Sequence, residues 1–94
     1  MLNGSIPKTI TNLKNLKVIS FSNNNLIGTI PRSIGKLHSL QTLLLDSNKL
    51  SRELPYSIGY LKVIIELDIH NNSFWGSIPN SFNGLVSLEM LDLS

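Results

Sequence analysis

The chain has 94 residues, with eight Lys and Arg against six Asp and Glu for a formal charge of +2, and no cysteine, which bounds it to one domain without disulfides. Along the sequence the positive charges are not laid out as a basic stripe with interleaved aromatics, so no nucleic-acid partner is expected. No stretch approaches the roughly 18 apolar residues of a membrane span, and Met1-Leu2-Asn3-Gly4 opens neither the basic nor the apolar segment of a secretory signal.

Leu2, Leu26, Leu50 and Phe74 stand 24 residues apart, and Pro7, Pro31, Pro55 and Pro79 keep the same step, as do Asn24, Asn48 and Asn72. Three residue types in one register define a repeat. The units are 2–25, 26–49, 50–73 and 74–94 of a single repeat domain fragment, 1–94.

In chain order each unit begins with an extended tetrapeptide: Gly4-Ser5-Ile6-Pro7, Gly28-Thr29-Ile30-Pro31, Arg52-Glu53-Leu54-Pro55 and Gly76-Ser77-Ile78-Pro79. Proline removes a backbone donor and biases the preceding residue to extended geometry, so Ile6, Ile30, Leu54 and Ile78 are expected to point inward. The column Gly4, Gly28, Arg52, Gly76 suits a tight backbone conformation, and Arg52, its one departure, predicts a local irregularity or an exposed charge. A short 3-10 or α turn follows each proline, with Thr9, Ser33, Ser57 and Ser81 placed to cap its free amides.

The next element is a strand. Leu16, Ile19 and Phe21, then Leu40, Leu43 and Leu45, then Ile64, Leu67 and Ile69 carry a period-two alternation, and Leu91-Asp92-Leu93-Ser94 begins a fourth copy. Strands recurring with one polarity pair in parallel, which makes the rest of each unit a crossover. The asparagines that follow, Asn24, Asn48 and Asn72, both donate and accept through one amide, and are predicted to form a ladder that satisfies backbone groups where the chain turns inward.

These two halves, L-x-x-L-x-L-x-x-N-x-L and L-x-G-x-I-P, resemble the plant-type leucine-rich repeat over essentially the whole chain. The resemblance implies an α/β solenoid: a right-handed superhelix with a parallel β-sheet on its concave face, short 3-10 or α turns on its convex side, and four coils without caps. It implies a protein- or peptide-binding module, a piece of the extracellular recognition domain of a receptor-like kinase or receptor-like protein in signalling or defence. Its partners would be a protein or peptide ligand and a co-receptor, with no cofactor, no nucleic acid and no membrane contact by this segment itself. The parent would be plasma-membrane anchored and extracellular. The chain lacks a Gly-rich phosphate loop and a catalytic-loop motif, so it is expected to be non-enzymatic, with any kinase domain outside it. A secreted protein resembling the polygalacturonase-inhibiting proteins, docking on a cell-wall-degrading enzyme, is one alternative. A truncated scaffold without a ligand of its own is the other. The chain begins at the eleventh position of a unit and stops two residues short of the next ladder asparagine, which reads as an interior slice with open ends.

Outward side chains of neighbouring strands lie about 4.8 Å apart. The columns read Val18, Thr42, Glu66 and Met90; Ser20, Leu44, Asp68 and Asp92; and Ser22, Asp46, His70 and Ser94. The strand windows hold five carboxylates, Asp46, Glu66, Asp68, Glu89 and Asp92, against Lys17 alone, so an acidic concave face and basic convex and lateral surfaces are expected. Leu44, Asp46, Glu66, Asp68, His70, Met90 and Asp92 are the candidate ligand-binding residues of that face. An open sheet face offers no second shell, so no metal is assigned, and a surface pair between Asp46 and His70 is expected instead. Trp75 is placed on the flank of the solenoid as a second contact candidate. Two sequons, Asn3-Gly4-Ser5 and Asn71-Asn72-Ser73, make Asn3 and Asn71 candidate glycosylation sites.

Overall fold

A computed structural model of the protein describes residues 3–94, so Leu2, the first member of its column, lies outside the described residues. Among the described residues there are eight strands and four 3-10 helices, with two strands between successive helices. The strands are β1 (Asn3–Ser5), β2 (Val18–Ser20), β3 (Asn25–Gly28), β4 (Thr42–Leu44), β5 (Lys49–Arg52), β6 (Glu66–Asp68), β7 (Ser73–Phe74) and β8 (Met90–Asp92). The 3-10 helices span Lys8–Asn12, Arg32–Lys36, Tyr56–Tyr60 and Asn80–Gly84.

The predicted parallel sheet is β2-β4-β6-β8. Its register pairs Ile19 with Leu43, Leu43 with Leu67 and Leu67 with Leu91, so the sequence step becomes lateral stacking. A solenoid buries each coil only against its neighbours. Leu43 and Leu67 are accordingly 1% and 0% exposed, whereas Leu91, on the edge strand β8, is 46% exposed. Ile78 departs from expectation for the same reason: Ile6 and Ile30 are buried and Leu54 packs against the core, but Ile78 in the edge coil faces outward.

A second parallel sheet, β1-β3-β5-β7, occupies what the sequence suggests is only a crossover. Each of its strands is short; β3 buries only Leu26 between the exposed Asn25 and Ile27, too brief a run for a period-two signal. Left-handed conformations stand at Gly4 within β1, at Gly28 closing β3 and at Gly76 after β7 (φ of 85°, 83° and 90°). Arg52 takes the same turn at φ 67°, exposed as expected and at the cost a Cβ imposes in that region.

The convex turns differ from the predicted capping pattern. Pro7, Pro31, Pro55 and Pro79 occupy the N-cap positions, and no side chain caps these helices. Two of the serines reach across to the preceding coil instead: Ser57 Oγ donates to the Arg32 carbonyl at 2.6 Å, and Ser81 Oγ to the Tyr56 carbonyl at 2.5 Å. Such cross-coil bonds need close approach, and glycine allows it. A Cβ on Gly35 would stand 2.7 Å from the Ser57 carbonyl oxygen, and one on Gly59 would collide with the Ser81 backbone.

The core is one continuous column of Leu and Ile, including Leu37, Leu40, Leu50, Ile58, Leu61 and Ile64, all without measurable exposure. Beside it runs the asparagine ladder. Asn48 Nδ2 donates to the carbonyls of Phe21, Leu45 and Asp46 at 2.9, 3.0 and 3.1 Å while Oδ1 accepts the Leu26 amide at 3.2 Å. Asn72 repeats the pattern one coil on, with Leu45, Ile69 and His70 carbonyls and the Leu50 amide. Asn24 donates to the Phe21 and Ser22 carbonyls.

Candidate functional site

The sheet β2-β4-β6-β8 sets the outward columns that the sequence predicts. Thr42 pairs with Glu66 and Glu66 with Met90; Leu44 pairs with Asp68 and Asp68 with Asp92. The third column follows at the strand ends, where the Ser47 amide donates to the His70 carbonyl at 3.0 Å and the Asn23 amide to the Asp46 carbonyl at 2.9 Å. Leu44, Asp46, Glu66, Asp68, His70 and Asp92 are half-buried, and Met90 is 37% exposed.

Asp46, Asp68, His70 and Asp92 meet at the C-terminal ends of these strands. His70 bonds Asp68 rather than the expected Asp46: Nδ1 lies 2.5 Å from Asp68 Oδ1 and 3.5 Å from Asp92 Oδ2. The reason is local. Asp68 Oδ1 also accepts the amide of His70, two residues on, at 3.2 Å, a side-chain turn that aspartate favours where a strand ends. Asp92 does the same one coil later, accepting the Ser94 amide at 3.1 Å and the Ser94 hydroxyl at 2.7 Å. Asp46 is engaged on its other side, by the Ser22 hydroxyl at 2.6 Å.

The electrostatics follow from these contacts. The hydrogen bond to Asp68 first, and then the charges of Asp68, Asp92 and Asp46, hold the His70 pKa above its ordinary 6.5 against a smaller opposing effect of burial. The hydroxyl and amide of Ser94 hold Asp92 below the ordinary carboxylate range. One ligand atom each from Asp46, Asp68 and His70 lies within 4.8 Å of the others. Donor type suits a divalent cation, but His70 Nδ1 is already bonded to Asp68 and Asp46 Oδ1 to the Ser22 hydroxyl, so a metal would compete with these contacts. What the arrangement offers directly is a partly desolvated cluster of carboxylates bordered by Leu44 and Met90, suited to a cationic group with an apolar neighbour.

Trp75 stands apart from this cluster. It follows β7, is 58% exposed, and lines a groove on the flank with Lys8, Arg32, Arg52 and Tyr56. The sequence reading missed these companions. Their signal is the residue after each proline, Lys8, Arg32 and Tyr56, a basic and aromatic column at the repeat step. Asn71 is exposed, with its side-chain amide 3.4 Å from the Ser47 hydroxyl. Asn3 begins β1. Among the described residues no helix is long and apolar enough to cross a membrane.

Comparison with known proteins agrees with this geometry. A family model described as "Leucine-rich repeat region" matches residues 2–94. The crystal structure of a TDR receptor superposes with a TM-score of 0.95 at 41% identity, covering 97% of this chain and 16% of that one. The Arabidopsis receptor kinase HAESA, crystallised with the peptide hormone IDA and the co-receptor SERK1, superposes at 0.91 and 34% identity over 97% of this chain and 15% of its own. A plant ice-binding protein superposes at 0.93 and 33% identity over 98% of this chain and 30% of its own. No curated protein matches by sequence. The chain therefore spans about a sixth of the receptor structures it resembles, and one coil geometry serves proteins of different roles. The repeated L-x-x-L-x-L-x-x-N-x-L, the stacked parallel strands, the asparagine ladder and the match over residues 2–94 together place this chain in the leucine-rich repeat family.

Proposed function

We propose that this segment, taken as one module over residues 1–94, recognises a protein or peptide ligand, and that it belongs to the extracellular domain of a plant receptor-like kinase or receptor-like protein. The observation that carries the reading is the cluster of Asp46, Asp68, Asp92 and His70 on the outward face of β4, β6 and β8, drawn from successive coils and bordered by Leu44 and Met90. Charged groups of one sign on one face steer and orient a partner of the opposite sign. The ligand would present a Lys or Arg side chain to Asp68 and Asp92 and an apolar side chain to Leu44. The neighbours support this class of partner, since HAESA was crystallised with a peptide hormone and a co-receptor. No catalytic step is assigned to these residues, and a kinase domain of the parent would lie outside them. Asn71 would carry a glycan at the rim in that setting.

A displayed library of basic peptides selected on the chain tests the reading. Selected peptides should lose about tenfold or more in affinity with Asp68→Asn together with Asp92→Asn, the cost of removing charge-assisted bonds. Selection that enriches nothing, or peptides indifferent to both substitutions, would contradict it.

A further inference from the structure

Among the described residues, the flank groove holds three cations without an ion-pair partner. Lys8, Arg32 and Arg52 line a space of about 670 Å³, and none forms an ion pair among the described residues, where both recorded pairs belong to His70. One carboxylate, Glu53, shares the groove with them. Three cations against one anion in a concavity concentrate positive potential more than the same charges scattered on a convex surface. The groove is also aromatic-walled: Tyr56 and Trp75, 57% and 58% exposed, rise from its rim. Exposed aromatic and arginine side chains together are the composition of anchoring residues in binding surfaces.

The chemistry of the floor narrows the ligand. Pro31 and Pro55 are buried beneath the groove and Leu54 is half-buried beside them. Prolines present no N–H, so these residues offer an apolar strip, with the hydroxyl residues Thr29 and Ser33 in the same lining. A polypeptide can lay an apolar side chain on Leu54 and the proline rings while its carboxylates reach the guanidinium groups of Arg32 and Arg52, which accept them in a two-point geometry.

We propose that this groove is a second docking site, independent of the sheet face, for an acidic polypeptide segment that carries an apolar side chain between its carboxylates. The site spans four coils, with Lys8 from the first, Arg32 from the second, Arg52 and Tyr56 from the third, and Trp75 from the fourth. It is opposite in charge to the acidic cluster and shares no residue with it. A partner engaging both surfaces would meet carboxylates on one and cations on the other, so two different segments or two different proteins are required.

The chain carries a single tryptophan, and Trp75 lines this groove, so its emission reports occupancy without a label. The probe is a short acetylated peptide of glutamate and leucine, free of aromatic residues, titrated into the full chain. Saturable change in Trp75 emission is expected, weakened about tenfold or more by Arg32→Glu and by raising salt, and weakened likewise by Arg52→Gly, which leaves the backbone turn intact. Circular dichroism of each variant separates lost binding from lost fold. Binding equal for a peptide with glutamine in place of glutamate, or unchanged in both folded variants, would overturn the proposal, as would no emission change at millimolar peptide. Saturable binding of an oligogalacturonide in place of the peptide would overturn the polypeptide assignment. Charge removal at Asp68 and Asp92 should leave this titration unaltered, so its outcome is separate from that of the sheet-face reading.

Discussion

Asn48 reaches back across the coil boundary to the Phe21 carbonyl, 2.9 Å away, while the same amide nitrogen serves its own coil at Leu45 and Asp46. One side chain thus joins two turns of the solenoid. Asn48→Ala would take the acceptor from the Leu26 amide and one of two donors from each of the Phe21, Leu45 and Asp46 carbonyls, which keep Asn24, Asn72 and the Asn23 amide, at a site only 8% exposed, so stability should fall by about 1 to 3 kcal/mol. Urea denaturation followed by circular dichroism measures it, and an unchanged midpoint would contradict the ladder's role.

Arg52 predicts the opposite sign. It holds φ at 67° where its counterparts are glycines, and a Cβ in that region costs about 1 to 2 kcal/mol. Arg52→Gly should raise stability by about 1 kcal/mol, less than the full strain because glycine loses more chain entropy on folding. A lowered melting temperature would show that the Arg52 side chain contributes packing that outweighs its backbone strain.

Gly59 tests the convex stacking. Its added Cβ meets the Ser81 backbone, which cannot move without breaking the Ser81 hydroxyl bond to Tyr56. Gly59→Ala should therefore destabilise the chain by about 1 to 3 kcal/mol, as overpacking does, although alanine is the better helix former. A neutral result in thermal melting would mean that the third and fourth coils separate there at little cost.

His70 gives a pH dependence. Its pKa is raised above 6.5 in the folded chain, first by the hydrogen bond to Asp68. The protonated ring therefore favours the folded state: this contribution is complete below the unfolded pKa and is lost as pH rises through the folded value. NMR titration of the His70 ring should give a midpoint above 6.5 that falls in Asp68→Asn. Protonated His70 also neutralises part of the acidic cluster, so a basic peptide on this face should bind more tightly as pH rises through that midpoint. Binding that weakens over the same interval would place the peptide elsewhere.

The two periodicities of the sequence explain what it reveals. The step of 24 between identical residues forces parallel strands, and the outward columns through Glu66, Asp68 and Asp92 follow by stacking alone. Features that depend on one residue's local choice are less visible. His70 has Asp46 in the neighbouring strand's column and Asp68 two residues before it, and only the turn at the strand end, with Asp68 accepting the His70 amide, decides between them. Ser57 is a sound helix cap by position, yet proline fills the cap and the hydroxyl turns to the neighbouring coil. The second sheet is hidden because Leu26 is the single buried residue of β3. The flank groove joins residues from different columns, so Trp75 and Arg32 share no spacing from which their meeting could be read.

The most direct test of the central claim is a chemical-shift map of the labelled chain with a peptide selected on it. The account predicts that perturbations concentrate on Leu44, Asp46, Asp68, His70 and Asp92, and that they vanish with Asp68→Asn and Asp92→Asn while the core resonances of Leu43 and Leu67 hold. Perturbations confined to the convex helices Arg32–Lys36 and Tyr56–Tyr60, with the sheet face unmoved, would contradict it.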